Sequence, residues 1–311
     1  MTTAPAFTGI LFFPVTPFTP GDEVDLGLLR QHVATGLDQG AGGIFPACGT
    51  GELHALSADE STAVVRETVA VVAGAVPVIA GTGGSLGNAR AQARAAADAG
   101  ADGLLVLPPY LVGGPVGGLV AYVEAVAAAS PLPVIVYHRG NAQFTAAAMR
   151  TLAQNPKVIG FKDGTGDIGL AQEIVLAVTA ERDDFLFFNG LLTAELSQGA
   201  YRGIGIPLYS SAAFAMAPAV ARGYYDAYTA GDEAVRLRYL REFYQPLVRL
   251  RDETPGFGVS LIKAGLRLGG LPVGSVRAPL IDPTAEQTER LADILAAGHR
   301  LVAELGAELA R

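Results

Sequence analysis

Short, almost continuously apolar segments alternate with alanine-rich segments of helical spacing along most of the chain. Strands that are covered on both faces, as in parallel sheets, are expected to be apolar throughout. Such segments recur roughly every 20 to 35 residues, which predicts strands separated by helices. The eight predicted strands lie at residues 9–13, 43–45, 77–80, 103–107, 133–137, 158–162, 185–188 and 203–206.

Helical patterns fill the intervals between these strands, for example at residues 25–39, 58–72, 89–99 and 146–153. Eight consecutive strand–helix units predict an α/β protein with a (β/α)8 TIM barrel. A doubly wound open sheet is the weaker alternative.

Beyond the eighth predicted strand, helix follows helix without intervening strands. We expect the first of these helices to close the barrel and the other three to form a C-terminal helical appendage. The predicted domains are therefore a catalytic barrel at 1–230 and a three-helix extension at 231–311. The four helical segments lie at residues 214–229, 232–249, 259–268 and 285–309.

The composition of the chain limits its partners and its location. A net charge of −8 over 311 residues, without a basic run, argues against a nucleic acid or an anionic membrane as partner. The single cysteine, Cys48, excludes an intrachain disulfide and fits a reducing cytoplasm. Residues 1–7 lack the pattern of a signal peptide, and every apolar run is shorter than the about 18 residues of a membrane span. Four scattered histidines give a metal site little support.

Lys162 is the most unusual residue of the predicted strands, because it ends the apolar segment that begins at Val158. Lysine is rarely buried unless it has a function, and desolvation of an amine leaves more of it neutral and nucleophilic. The sequence is therefore consistent with a lysine that forms a Schiff base. The alternative is a strand-end lysine that extends to solvent or pairs with Asp163.

Polar residues gather at the predicted C-terminal ends of the strands, where barrel enzymes carry their reactive groups. The turn at Gly49-Thr50 exposes backbone N–H groups and a hydroxyl that can hold a carboxylate, although in isolation a plain tight turn is the better explanation. Tyr137 ends the strand next to that of Lys162 and is suited to proton transfer; alternatively it only covers the barrel mouth.

Together, these residues resemble the Schiff-base lyase superfamily that includes dihydrodipicolinate synthase and N-acetylneuraminate lyase. The shared positions are residues 14–18 (Pro-Val-Thr-Pro-Phe), residues 49–52 (Gly-Thr-Gly-Glu), Tyr137 and Lys162. The resemblance implies a Schiff base on Lys162, proton transfer by Tyr137, and no metal or organic cofactor. It also implies a homo-oligomer, either a dimer or a tetramer.

Within that superfamily the chain most resembles the 5-dehydro-4-deoxyglucarate dehydratases, on residues 107–111, 160–168, 209–212, 259–265 and 276–280. It departs from the synthases, which have a threonine at the position of Gly49, a tyrosine at that of Leu111 and an arginine near residues 141–143. It departs from the dehydratases at His138 and Gly140, where those enzymes tend to carry asparagine and aspartate.

The resemblance implies a substrate that is a keto-deoxy sugar diacid, 5-dehydro-4-deoxy-D-glucarate, which loses water and CO₂ to give 2,5-dioxopentanoate. A diacid needs two anion sites. The Gly49-Thr50 turn would hold the carboxylate next to the imine, and the fork of Arg139 would hold the far one, unless Arg139 pairs with an acidic neighbour. The other candidate substrate-binding residues are Asn141, Asn189 and Ser210.

Two other functions remain open on the sequence. One is a pyruvate-dependent aldolase or lyase of the same superfamily, which would make or break a carbon–carbon bond. The other is a barrel that binds a keto acid without turning it over. Product analysis on the keto-diacid would distinguish the dehydratase from the aldolases, and borohydride trapping would distinguish an imine former from a binding protein.

Overall fold

The structure, a computed structural model, describes residues 5–110 and 113–309. Its eight strands are parallel and pair in the order β2-β1-β8-β7-β6-β5-β4-β3. A parallel bridge between Ile44 and Val78 joins β2 to the start of β3 and closes the sheet. The predicted (β/α)8 barrel is therefore confirmed. The strands are β1 (Ile10–Phe12), β2 (Ala41–Ile44), β3 (Ile79–Thr82), β4 (Gly103–Val106), β5 (Val134–His138), β6 (Val158–Asp163), β7 (Leu186–Asn189) and β8 (Leu208–Ser211).

Eight α-helices alternate with these strands in the described part of the chain. Several begin at a residue whose side chain accepts a hydrogen bond from a free backbone N–H of the first turn, as with Asp25, Ser85 and Asp167. Ser57 and Glu60 form a reciprocal capping box. The helices are α1 (Leu26–Asp38), α2 (Ala58–Val72), α3 (Leu86–Asp98), α4 (Val116–Ala128), α5 (Ala146–Ala153), α6 (Ile168–Thr179), α7 (Gln198–Gly203) and α8 (Pro218–Ala230).

The predicted position of the eighth strand is wrong. Residues 203–206 form the end of α7 and its turn, in which Gly205 has a φ of 89° and the Ile206 N–H donates to the carbonyl of Tyr201. Ile206 is apolar because it is buried in the core outside the barrel. The strand itself is Leu208–Ser211, and its two serines interrupt the apolar pattern by which the other strands were predicted.

The side chains of the strands form two layers. Those that point inward fill the barrel with an apolar cluster that includes Leu11, Ile79, Leu105, Ile135 and Phe188. Those that point outward pack with the helices in the larger cluster of the protein. A side chain's layer therefore decides whether it can reach the mouth of the barrel.

An extra residue in β6 brings Lys162 into the inner layer. Val134 of β5 pairs with Val158, but the next residue, Ile135, pairs with Gly160, so that Ile159 is inserted between them. Ile159 belongs to the inner cluster, and Phe161 to the outer one. Strict alternation from Ile159 would have turned Phe161 inward and Lys162 outward, and the bulge reverses this.

The remaining helices pack beside the barrel. The predicted helix at 232–249 is present as α9 (Glu233–Tyr239) and α10 (Gln245–Arg251), joined without a break by a π-helical turn at Leu240–Tyr244. α11 (Phe257–Leu268) and α12 (Ala285–Leu309) follow, and an apolar cluster joins these helices to α8. None of the described helices is long and apolar enough to cross a membrane. The domain boundary at residue 230 stays a prediction.

We expect Gly160→Ala to destabilise the protein. Its Cβ would lie 3.0 Å from the Leu186 carbonyl oxygen and 3.1 Å from the Phe188 ring, in the filled barrel interior. Overpacking of this kind costs about 1–3 kcal/mol, to be measured as the free energy of unfolding in urea. The control is Gly117→Ala, at an exposed position where a Cβ meets nothing within 4 Å. Equal stability of Gly160→Ala and the wild type would contradict the close packing inferred here.

Candidate active site

A cavity of about 370 Å³ opens at the C-terminal end of the barrel strands. It brings together groups from seven of the eight strands or the loops that follow them, although these groups are far apart in the sequence. Of the residues predicted from the sequence, it is lined by Gly49, Thr50, Tyr137, Arg139, Lys162 and Ser210.

The amine of Lys162 lies among aromatic rings. Its Nζ is 3.9 Å from the ring centroid of Tyr137 and 4.7 Å from that of Phe13, and the residue is 5% exposed. No described carboxylate lies within 4 Å of the amine. The alternative in which Asp163 pairs with Lys162 is wrong, because the Asp163 side chain points outward and accepts hydrogen bonds from Thr165 and Tyr201.

Tyr137 is fixed in place by two hydrogen bonds. Its hydroxyl donates to the carbonyl of Gly190 at 2.8 Å and accepts from Nη1 of Arg139 at 2.9 Å. Burial alone would raise the pKa of Tyr137, but the positive charges of Lys162 and Arg139 outweigh it and lower the pKa below its ordinary value. The phenol is thus a stronger acid than an ordinary tyrosine and gives up its proton more readily.

Gly190 was not assigned a role from the sequence, yet it contacts the side chains of both Lys162 and Tyr137. A Cβ at this position would lie 2.7 Å from Cγ of Lys162 and 2.8 Å from the carbonyl oxygen of Asp163. Its carbonyl also receives the Tyr137 hydroxyl. Only glycine allows the chain to pass this close to the lysine stem. Its position directly after a predicted strand was the available signal.

The turn after β2 presents Gly49 and Thr50 to the cavity. No described residue accepts a hydrogen bond from the N–H of either one, so both donors are available to an anion. The turn is held from behind, where the Thr16 hydroxyl donates to the carbonyl of Gly51 at 2.7 Å. This arrangement suits a small carboxylate near Lys162.

Arg139 is half-buried at the rim of the cavity. Among the described residues, no carboxylate lies within 4 Å of its guanidinium, and the pairing with an acidic neighbour that we considered from the sequence is absent. Nη1 contacts Tyr137. The guanidinium therefore adds a second positive charge to the cavity, in addition to that of Lys162.

The comparison with known proteins gives the family of this barrel. The model of the dihydrodipicolinate synthetase family matches residues 6–298. The chain belongs to this family. The resemblance inferred from residues 14–18 and 49–52, Tyr137 and Lys162 is thereby confirmed.

Curated relatives within the family carry the name expected from the sequence. A protein of Streptomyces griseus named "Probable 5-dehydro-4-deoxyglucarate dehydratase" is 52% identical over 298 residues, which cover 95% of this chain and 93% of the relative. A protein of Streptomyces coelicolor named "Probable 5-dehydro-4-deoxyglucarate dehydratase 1" is 50% identical over 96% of this chain and 95% of the relative.

Solved structures of the family share the fold. Dihydrodipicolinate synthase from Oceanobacillus iheyensis superposes with a TM-score of 0.87 at 25% identity, over 94% of this chain and 96% of that one. The synthase from Acinetobacter baumannii complexed with pyruvate superposes with a TM-score of 0.84 at 26% identity, over 94% and 99%.

Two of the residues predicted to bind substrate lie outside the cavity of this family member. Asn189 is fully buried in the outer layer, where its amide donates to the carbonyl of Ala194 and to the side chains of Ser197 and Gln198. The reason is strand alternation, because the preceding Phe188 points inward. Asn141 is exposed on the loop after β5 and does not line the cavity.

His138, a departure from the dehydratase pattern, also lies outside the cavity. It points toward the helices, packs on Phe161, and accepts the N–H of Phe144 at 2.9 Å. Burial lowers its pKa, so the ring stays neutral at pH 7. The residue thus shapes the loop after β5 and has no contact with the substrate cavity.

The cavity also contains residues that sequence reasoning did not assign. They include Phe13, Cys48, Leu107, and the first turn of α11 at Gly258 and Val259. Burial raises the pKa of the Cys48 thiol to about 12, so it is no nucleophile at neutral pH. Tyr110 is 72% exposed and does not line the cavity, and Leu111 lies outside the described residues. Within the described ranges, no cluster of three or more His, Cys, Asp or Glu could hold a metal ion.

We expect Tyr137 to ionise before Tyr122, Tyr201, Tyr224 and Tyr244 as pH rises. Its pKa is lowered, whereas burial raises the pKa of these four tyrosines. Titration followed by phenolate absorbance should show an early step that Tyr137→Phe removes and Arg139→Met moves to higher pH. The matched control Tyr122→Phe should leave this step intact. An early step that survives in Tyr137→Phe would contradict the assignment.

Proposed function

We propose that this protein is a lyase that converts 5-dehydro-4-deoxy-D-glucarate to 2,5-dioxopentanoate, water and CO₂ through a Schiff base on Lys162. The observation that carries the proposal is a lysine amine in the barrel mouth that has no carboxylate within 4 Å among the described residues and lies next to a tyrosine of lowered pKa. The names of the curated relatives support the choice of substrate.

The first step activates the substrate. The Lys162 amine attacks the ketone carbon next to one carboxylate and expels the ketone oxygen as water, which leaves a protonated imine. The imine withdraws electrons and acidifies the adjacent CH₂. Loss of a proton from that carbon gives an enamine. The enamine pushes out the neighbouring hydroxyl, which takes up a proton and leaves as the water of the net reaction.

The second step removes CO₂. After dehydration, a carbon–carbon double bond is conjugated with the imine, and the far carboxylate is attached to the next carbon, which carries the last hydroxyl. When CO₂ leaves, the bonding electrons pass through the conjugated system to the imine nitrogen. The resulting enol becomes the aldehyde, a proton adds to the carbon next to the former ketone carbon and restores the imine, and hydrolysis of the imine releases the product and the lysine amine. The conjugated imine thus serves both the dehydration and the decarboxylation.

Tyr137 is the proton carrier in this proposal. Its hydroxyl is held beside the Lys162 amine, and its lowered pKa brings it closer to the working pH, which favours general acid–base catalysis. The same group can accept the proton from the CH₂ and return it to the departing hydroxyl. Arg139 supports this role because its charge favours the phenolate.

The two carboxylates of the substrate are assigned to opposite sides of the cavity. Free backbone N–H groups at Gly49 and Thr50 bind the one next to the imine. Arg139 binds the far one, and Ser210 is a further donor in the cavity. Asn141 and Asn189 drop out of the proposal because of their positions.

The second candidate is an aldolase or synthase that forms its imine with pyruvate. The solved relatives favour it, since they are dihydrodipicolinate synthases and one is complexed with pyruvate. Product analysis distinguishes the two reactions. Incubation with the keto-diacid should release CO₂ and dioxopentanoate if the enzyme is a dehydratase, and free pyruvate if it is an aldolase.

We expect Lys162→Ala to fold, to form no imine and to lose at least about a thousandfold in turnover, because the covalent route has lost its nucleophile. The measurement is mass spectrometry after incubation with keto acid and borohydride. The chain has only three lysines, and Lys157 donates to the carbonyls of Ala127 and Ser130, away from the cavity. Lys157→Ala is therefore the matched control and should label as the wild type does. Borohydride-dependent attachment to Lys162→Ala would sink the proposal.

We expect Arg139→Ala to weaken the reaction with the keto-diacid, which has two carboxylates, much more than imine formation with pyruvate, which has one. Catalytic efficiency toward the keto-diacid should fall by about 2–4 kcal/mol, because the far carboxylate loses a bidentate partner. The pyruvate concentration that half-saturates imine trapping should change little, since pyruvate has no second carboxylate. Arg150→Ala, at an exposed position of α5, is the control and should match the wild type with both ligands. Equal losses for both ligands would mean that Arg139 acts only through Tyr137.

A further inference from the structure

We infer that the buried ion pair between Glu52 and Lys263 positions the carboxylate-binding turn, so that α11 and the segment after it complete the active site. The inference rests on the proposed function, in which this turn holds the substrate carboxylate. Neither side chain lines the cavity, and both are therefore positioning residues.

The ion pair is enclosed by protein. Both side chains are 0% exposed, and Nζ of Lys263 lies 2.6 Å from Oε1 of Glu52. The second carboxylate oxygen of Glu52 accepts the backbone N–H of Arg277 at 2.9 Å. Lys263 also donates to the carbonyl of Ser275 at 2.9 Å and lies over the ring of Phe18. The carboxylate is thus bound both by α11 and by the segment that follows it.

Stability alone is a weak reason for such a pair. Desolvation of two charges offsets much of their attraction, and well-packed apolar residues in the same space are often as stable or more so. A buried pair does, however, fix a single geometry, since either charge without its partner is strongly unfavourable. Registration of one segment against another is the best supported use of such a pair.

The backbone at Glu52 needs this kind of restraint. Its φ is 57°, in the left-handed region that residues other than glycine seldom occupy. Its N–H donates to the carbonyl of Gly49, and the N–H of Leu53 donates to the carbonyl of Cys48. The conformation of Glu52 therefore sets the direction in which the Gly49-Thr50 turn faces the cavity.

Arg277 holds the far side of the same loop. Its guanidinium binds both oxygens of Glu60 at 2.9 and 2.7 Å, the carbonyl of Ala55 at 3.0 Å and Asp22 at 2.8 Å. Together with the bond from its own N–H to Glu52, these contacts fix the chain from the turn to the start of α2. The sequence motifs at 259–265 and 276–280, which contain Lys263 and Arg277, therefore both hold the loop after β2 in place.

The same helix reaches the cavity directly. Gly258 and Val259, in the first turn of α11, line it together with the turn after β2. The ion pair lies further along α11 and joins the helix to the end of that turn. Displacement of either element would therefore change the shape of the cavity that both of them line.

The test uses two variants of the full-length chain. Lys263→Met leaves the Glu52 carboxylate buried and unpaired. Glu52→Gln/Lys263→Met removes both charges, so it leaves no unpaired buried charge and is expected to fold even if the single variant does not. In both we expect the pyruvate concentration that half-saturates borohydride trapping to rise at least fivefold, while labelling of Lys162 at saturation stays complete. We also expect faster hydrogen exchange at the amides of residues 49–53.

Arg238→Met is the control, because its ion pairs with Glu304 and Glu308 join α9 to α12 and involve neither the turn nor the segment after α11. It should leave half-saturation and exchange at residues 49–53 unchanged. The inference is overturned if the double variant matches the wild type in both measurements, whatever its melting temperature. If the wild type itself forms no imine, the proposed function fails, and the exchange data still decide whether the pair positions the turn.

Discussion

Every side chain of a closed parallel barrel must point either into the interior or toward the helices, and this constraint governs the whole site. The bulge in β6 places Lys162 inside and Asp163 outside. Had the strand paired without the extra residue, the carboxylate would have pointed into the cavity and the amine into the helical layer. Glycine suits position 160 next to the bulge, since a Cβ there would lie only 3.0 Å from the Leu186 carbonyl oxygen of β7.

The inward set of side chains gives the cavity its chemical character. Lys162 and Arg139 face it with positive charge, and Tyr137 lies between them. The carboxylates of Asp163 and Glu52 are engaged elsewhere, as Asp163 bonds to Thr165 and Glu52 pairs with Lys263. The cavity is therefore electrostatically favourable for an anion, and the same positive charges lower the pKa of Tyr137.

One of the C-terminal helices, α11, belongs to this site together with the barrel. α11 contributes its first turn to the cavity wall and its buried lysine to the turn after β2. The segment that carries Arg277 binds the same loop at several points. A predicted extension at 231–311 thus has a physical connection to the chemistry, which the strand-end residues alone did not suggest.

The sequence by itself determined the order of the strands and helices, because their periodicity and capping residues are local properties. It also picked out Lys162 and Tyr137, since polar residues at the ends of apolar strands stand out. It misplaced β8, whose serines break the apolar pattern. It also named Asn189 as a substrate-binding residue, although this side chain lies in the outer layer. Only the tertiary structure decided which strand-end side chains point inward and which distant residues meet, as Glu52 and Lys263 do. Layer and register depend on pairing with neighbouring strands, and a single inserted residue reverses them.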